Sequence, residues 1–276
     1  MRVRDHELKR DLFPIDVFFV HFPAEGVVEV ALKLKREKIA ERLAYIISKC
    51  SERGFLPLSL NLTLRSDSAY LACFMRINEA YDDLERLLST LKKEGEVEEY
   101  RLRRSPIKGK IFNNLCYPLT VDSGRQRMIL DDREGLSLFI REIHEKYGTG
   151  GEAFLYFLGR TRGEISGRRF KEENITREFI EEDLRSLQAA GWGIAELLEI
   201  DLKRKYIRVR VHDSYEAAAF EGRSNRPRCH FIRGYFEGLF SEFLSTDLES
   251  REVKCASMGD PYCELVFKKA SVDEIP

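Results

Sequence analysis

Between Val27 and Leu102 the spacing of apolar residues switches between two periods, and the order of those switches leaves few folds open. Val28, Val30, Leu32 and Leu34 alternate, the pattern of a strand with one buried face. Ile39, Leu43, Ile46, Ile47 and Cys50 then recur at helical spacing and stop at Gly54. Two strand-like runs follow, over 58–64 and 70–77, joined by the turn-forming RSDS. Leu84, Leu87, Leu88 and Leu91 mark a second helix ending at Gly95, and residues 97–102 read as a closing strand. The order β-α-β-β-α-β is the ferredoxin-like split βαβ motif, which sets an α+β fold class for this part.

At 276 residues the chain has room for two domains. Apolar residues make up 43% and charged residues 34%, with a formal net charge of -1, the balance of an ordinary soluble protein. That balance does not favour nucleic acid as the main partner. The N-terminus lacks the apolar core of a signal peptide, and no stretch approaches the roughly 18 apolar residues of a membrane span. A cytoplasmic protein without membrane attachment is expected, its six cysteines reduced.

RLRRSPIKGK, residues 101–110, is basic and carries Pro106 and Gly109, the composition of a linker. Its charges read as a solvated connector or as contacts to phosphate. The expected domains are therefore 1–104 and 105–276. In the second, Leu136, Phe139, Ile140 and Ile143 predict a helix ending before Gly148-Thr149-Gly150-Gly151, and residues 152–160 predict another. Glycines 159, 163 and 167 then read as interruptions before a helix over 176–190. After Gly191-Trp192-Gly193 come strands over 195–201 and 206–212, a helix from about Cys229 to Leu244, and a final hairpin. Helices covering one antiparallel sheet is the expected arrangement.

Cys229, Glu252, Cys255 and Cys263 fall within 35 residues near the end of the chain. Three thiols and a carboxylate form a reasonable tetrahedral set for zinc; with no open position, such a site is structural. Glu252 and Cys255 are three apart on a strand, so alternation puts them on opposite faces and shared ligation needs a bulge between them. Spacing leaves zinc and three buried thiols both open. His230 is an alternative fourth ligand on the same grounds. Cys50, Cys73 and Cys116 read as small buried hydrophobes.

Gly191-Trp192-Gly193, Cys229-His230-Phe231-Ile232-x-Gly234-Tyr235 and Glu252-x-x-Cys255-x-x-x-Gly259-x-x-x-Cys263 resemble the 4-vinyl reductase domain family. Weaker similarity extends back through Tyr156-Phe157-Leu158-Gly159 to Asn113-x-x-x-Tyr117-Pro118-Leu119. Aromatic-sensing members hold zinc with a cysteine, a glutamate and two further cysteines at this spacing. The resemblance implies that Cys229, Glu252, Cys255 and Cys263 are the ligands here, with Glu252 rather than His230 in fourth place. It implies the fold shared with nitric-oxide sensors and Golgi tethering subunits, usually dimeric, with an apolar pocket.

Phe154, Tyr156, Phe157, Trp192, Phe220, Phe231, Tyr235 and Phe236 concentrate aromatics in this domain, as a ligand pocket or as core. Phe154, Phe157, Trp192, Phe231 and Tyr235 are the candidate ligand-binding set. Gly234 and Gly238, four apart, leave room for a ligand or permit tight helix packing. Glu152, Glu164, Glu178 and Glu181 read as solvated. The first domain resembles ACT-like regulatory modules in pattern, although KREK stands where the amino-acid-binding members carry a glycine-bearing loop. The combined expectation is a homodimeric, zinc-stabilised sensor of an apolar or aromatic small molecule, with output through a protein partner. An enzyme or accessory protein of tetrapyrrole metabolism and a dimeric assembly subunit are the alternatives. No nucleophile-elbow, P-loop, zinc-protease or dinucleotide motif supports catalysis.

Overall fold

The computed structural model describes residues 19–20, 26–78, 80–107, 111–121, 125–170, 173–220 and 222–270. The chain forms two compact units, divided between Leu130 and Asp131. In the first, β1 (Phe19–Val20), β2 (Val27–Lys35), α1 (Ile39–Ser51), β3 (Leu56–Leu64), β4 (Ser68–Arg76), α2 (Tyr81–Lys93) and β5 (Glu99–Arg104) follow in order. Strands β2 to β5 make one antiparallel sheet in the order β3-β4-β2-β5. This is the split βαβ arrangement that the periodicities predict. Val28, Val30, Leu32 and Leu34 are buried with Leu84, Leu87, Leu88 and Leu91 in one core.

The unit boundary lies downstream of the basic segment, not at residue 104, and Glu29 supplies the reason. Its side chain points away from the helices and is buried; its carboxylate accepts the backbone N–H groups of Asn114 and Leu115 and pairs with Arg103 at 3.1 Å. A buried carboxylate needs such partners, so the chain after β5 is held against its own sheet. Ile111, at the start of β6 (Ile111–Phe112), packs with Phe74, and β6 pairs with β1. The short ribbon β7 (Thr120–Val121) and β8 (Gln126–Arg127) completes this unit.

The second unit contains α3 (Arg133–Gly167), α4 (Arg177–Ala189), β9 (Ile194–Asp201), β10 (Tyr206–His212), the single turn α5 (Tyr215–Ala218), α6 (His230–Leu244), β11 (Leu248–Lys254) and β12 (Cys263–Lys269). Its antiparallel sheet runs β11-β12-β10-β9. Phe236, Phe240 and Phe267 are fully buried between α6 and the sheet, with Phe236 and Phe240 stacked at 5.4 Å. The expected break at Gly148 is present as a non-helical kink within α3. The glycines beyond it do not interrupt the helix. Gly159, Gly163 and Gly167 are buried on one face of α3; a Cβ at Gly159 would strike the carbonyl of Phe231, and one at Gly163 that of Tyr235. Reciprocally, a Cβ at Gly234 would strike the Tyr156 carbonyl, and one at Gly238 that of Arg160. The two helices therefore meet backbone to backbone, the tight-packing reading of Gly234 and Gly238.

On α4 the Asp183 carboxyl has one oxygen buried without a hydrogen-bond partner among the described residues, and burial pushes its pKa up to about 6 from 3.8. The folded protein thus holds this proton more tightly than the unfolded chain does. Stability is unaffected by the group at low pH and falls as pH rises from the unfolded value through the folded one. Asp183→Asn should match the parent near about pH 4 and exceed it by on the order of 1–2 kcal/mol at about pH 7.5, allowing for partial exposure. Urea denaturation at the two pH values measures this, and a variant weaker at the higher pH would contradict it. Among the described residues no helix is long and apolar enough to cross a membrane.

Candidate metal centre and adjoining chamber

Three elements bring the four candidate ligands together. Cys229 stands at the N-cap of α6, whose start is held by Glu216: its carboxylate accepts the N–H groups of Phe231 at 2.8 Å and Ile232 at 2.7 Å. Burial raises Glu216 to about 8 in spite of those two bonds. Cys263 opens β12. Cys255 follows β11, and its N–H is fixed by the Asp260 carboxylate at 2.9 Å across the turn between the strands. Glu252 reaches the same point because the β11–β12 register shifts between Glu252 and Lys254, leaving Val253 as an extra residue. That is the bulge which shared ligation required.

All four ligating atoms lie within 4.8 Å of one another and all four residues are buried. The Sγ atoms of Cys229 and Cys263 are 3.3 Å apart, and each lies 3.9 Å from that of Cys255. Zinc–sulfur bonds of about 2.3 Å in a tetrahedron place sulfurs roughly 3.8 Å apart, so the cluster has the right size. Glu252 accepts the Cys229 N–H through Oε2, while its buried Oε1 has no partner among the described residues. Protons are unevenly shared. Hydrogen bonds from Cys229 and Cys263 hold the Cys255 thiol far below the usual range. Hydrogen bonding to Cys255 and Cys263, together with burial, pushes Cys229 well up. Burial, then the nearby Cys255 charge, raises Glu252 to about 9. Four acidic groups packed this closely cannot all carry charge unless a cation joins them. The donor set fits a divalent metal.

The loop before Cys229 joins this centre to a cavity of about 490 Å³. Arg228 donates its backbone N–H to Cys255 Sγ at 3.5 Å, Ser224 N–H donates to the Ser257 carbonyl, and Ser257 Oγ lies 3.0 Å from Cys255 Sγ. The same loop lines the cavity with Arg223, Arg226 and Arg228, beside Phe220. From α3 come Arg141 and His144. Arg226 and Arg228 converge on Glu152 Oε1 at 2.8 and 2.9 Å.

Residues 207–269 match the V4R domain. This span runs from β10 to the end of β12 and contains Cys229, Glu252, Cys255 and Cys263. An uncharacterized protein of Methanocaldococcus jannaschii is 25% identical over 202 residues, covering 70% of this chain and 73% of that one. Among solved structures, the phenol-responsive sensory domain of the transcription activator PoxR is 23% identical, with a TM-score of 0.41 over 53% of this chain and 78% of the other. A vinyl-4-reductase family protein from Methanocaldococcus jannaschii is 22% identical, with a TM-score of 0.37 over 53% and 85%.

The five aromatics expected to bind ligand do not form one site. In the V4R span Phe231 and Tyr235 meet Trp192 with ring centroids 5.6 and 5.3 Å away, a cluster packed on the core. Phe154 and Phe157 are instead 56% and 68% exposed, because they lie off the glycine face through which α3 meets α6. Glu152, expected in solvent, is 12% exposed and carries two ion pairs. Sequence reasoning passed over Arg141, His144 and the three loop arginines. The one available signal was RSNRPR, residues 223–228, directly before Cys229. His144, Glu152 and His230 form a second group of potential metal ligands. Arg226 and Arg228 already occupy the carboxylate, and Arg228 Nη1 lies 3.2 Å from His144 Nδ1, so fixed positive charge opposes a cation there.

Proposed function

We propose that the second unit is a zinc-clasped, cytoplasmic small-molecule sensor module that works as a homodimer and signals through a protein partner. The observation that carries this reading is the buried group of Cys229, Glu252, Cys255 and Cys263, with all ligating atoms inside 4.8 Å. Zinc, when bound, neutralises the thiolates and cross-links α6 to the terminal hairpin. Four protein ligands leave no coordination position for substrate, which favours a clasp over a catalyst. Through Arg228 and Ser257 the clasp also orders the loop that walls the cavity. A volume of about 490 Å³ suits a small organic ligand, with Ala219 and Phe220 as apolar wall. The cysteines are all free, as a reducing compartment requires.

Dimerisation is supported by Phe154, Phe157, Leu158 and Ile165, exposed at helical spacing on one face of α3. Native mass spectrometry of the purified chain tests the whole reading. A dimer with near-stoichiometric zinc and a co-purified small molecule is expected, and Phe157→Glu should shift it toward monomer. Protein free of both zinc and ligand would refute the module.

A further inference from the structure

We propose that β3 is the docking edge for a second copy of this chain: the two β3 strands pair antiparallel about a two-fold axis at Asn61 and join the two first-unit sheets into one. The contact belongs to the first unit and is separate from the α3 face of the second. Strand β3 ends its sheet, and among the described residues nothing pairs with its outer side. Such an edge presents a row of free N–H and C=O groups, and proteins usually blunt it with charge. The other edges of the two four-stranded sheets follow that rule: EYRLRR in β5, IAELLEID in β9 and LESREVK in β11 each include three or more charged residues. The nine residues of β3, LPLSLNLTL, include none.

Leucines make this edge apolar as well as open. Leu60, Leu62 and Leu64 stand opposite Cys73, Leu71 and Ala69 of β4, which belong to the core beneath the helices. Those β4 residues are at most 6% exposed, yet the three leucines are 41–44% exposed, so the apolar face of the sheet runs one strand further than the helices cover. The order of residues then selects the occupant. Leu58-Ser59-Leu60-Asn61-Leu62-Thr63-Leu64 reads nearly alike in both directions about Asn61. Residues directly opposite in an antiparallel pair share a face. Self-pairing centred on Asn61 therefore sets Leu60 against Leu62 and Leu58 against Leu64. It also sets Ser59 against Thr63 and Asn61 against its own copy, groups that can each donate and accept a hydrogen bond. A slip of one residue would turn one copy's leucines to the polar face, so the register is fixed. No like charges meet anywhere along the pair. The same patch serves both copies, which makes the contact isologous and closed. That symmetry is what a second copy supplies and an unrelated strand does not.

Cysteine cross-linking of the full-length chain tests the pairing and its register. In Asn61→Cys the two new thiols face each other across the axis with Cα atoms about 5 Å apart, within disulfide reach. In Thr63→Cys the same position in the two copies is separated by four residue steps along the strands, about 14 Å, which is out of reach. Both residues stand on the face opposite the leucines, so neither change disturbs the core. Under mild oxidation Asn61→Cys should form a covalent dimer at least about tenfold faster than Thr63→Cys or the unsubstituted chain, because pairing raises the local thiol concentration. Joining Ser59→Cys to Thr63→Cys should restore fast cross-linking. Adding Leu62→Lys to Asn61→Cys should slow it at least about tenfold, since each copy would then set an ammonium group against the other's leucines. Cross-linking of Asn61→Cys no faster than that of Thr63→Cys would overturn the pairing, and so would a cross-link indifferent to Leu62→Lys; the strand would then serve a different chain or none. Neither result touches the metal and ligand content read by native mass spectrometry, so the sensor module stands or falls separately.

Discussion

Cys255→Ser should release the metal and destabilise the second unit by on the order of 4 kcal/mol or more, because metal affinity at a buried closed site is folding free energy. For a domain of this size that corresponds to a fall in melting temperature of about 8–16 °C. Cys255 is the most informative position, since the other two thiols both donate toward it and it carries the charge of the cluster. Serine keeps the approximate volume but offers no thiolate, so a loss tracks ligation and not packing. Metal analysis beside thermal unfolding measures both effects. Chelation should be easier at lower pH, where protons compete for the thiolates and for Glu252. Unchanged stability and unchanged metal content in the variant would remove the clasp from the proposal.

Gly163→Ala should also destabilise the second unit, by a net of about 2 kcal/mol or more, for a reason of shape. The added methyl would overlap the Tyr235 carbonyl oxygen and crowd the Leu239 backbone nitrogen at 2.8 Å. Both obstacles are main-chain atoms of α6 and cannot rotate aside, so the helices must separate along their whole contact. Alanine favours a helix over glycine by about 1 kcal/mol, yet overpacking at such a site costs roughly 3 kcal/mol or more, so the net sign is destabilising. Gly150→Ala is the matched control: it sits in the same helix with nothing within 4 Å of its added methyl. It should be neutral or stabilising by up to about 1 kcal/mol. Urea denaturation compares the two, and similar effects from both would show that the glycine face is not a packing requirement.

The strands and helices of the first unit were legible because their apolar residues have one consistent partner each, a sheet face or a helix face. Its boundary was not, since the basic segment 101–110 has a linker's composition and the interaction that retains the following chain is a single carboxylate, Glu29, on the outer face of β2. That Cys229, Glu252, Cys255 and Cys263 come together was legible from spacing and resemblance, down to the irregularity demanded between Glu252 and Cys255. Glycines 159, 163 and 167 looked like helix breakers because a glycine taken alone signals weakness; only against Gly234 and Gly238 does the repeat of four become a mating surface. The arginine cavity was hidden for another reason. Arg141 and His144 belong to one helix and Arg223 to Arg228 to a distant loop, and charged residues with no periodicity look the same in sequence whether they face water or each other.

Val253 brings one more point into view. Its side chain is exposed, and any of several residues would serve in its place. Its presence as a counted position is what matters: it shifts the phase of β11 by one step, so that two ligands which simple alternation would send to opposite sides of the sheet arrive on the same one. The centre is therefore written partly in arithmetic. Deleting that one position would therefore disturb the cluster more than replacing its side chain, because the phase of β11 and not the identity of residue 253 lets the four side chains converge.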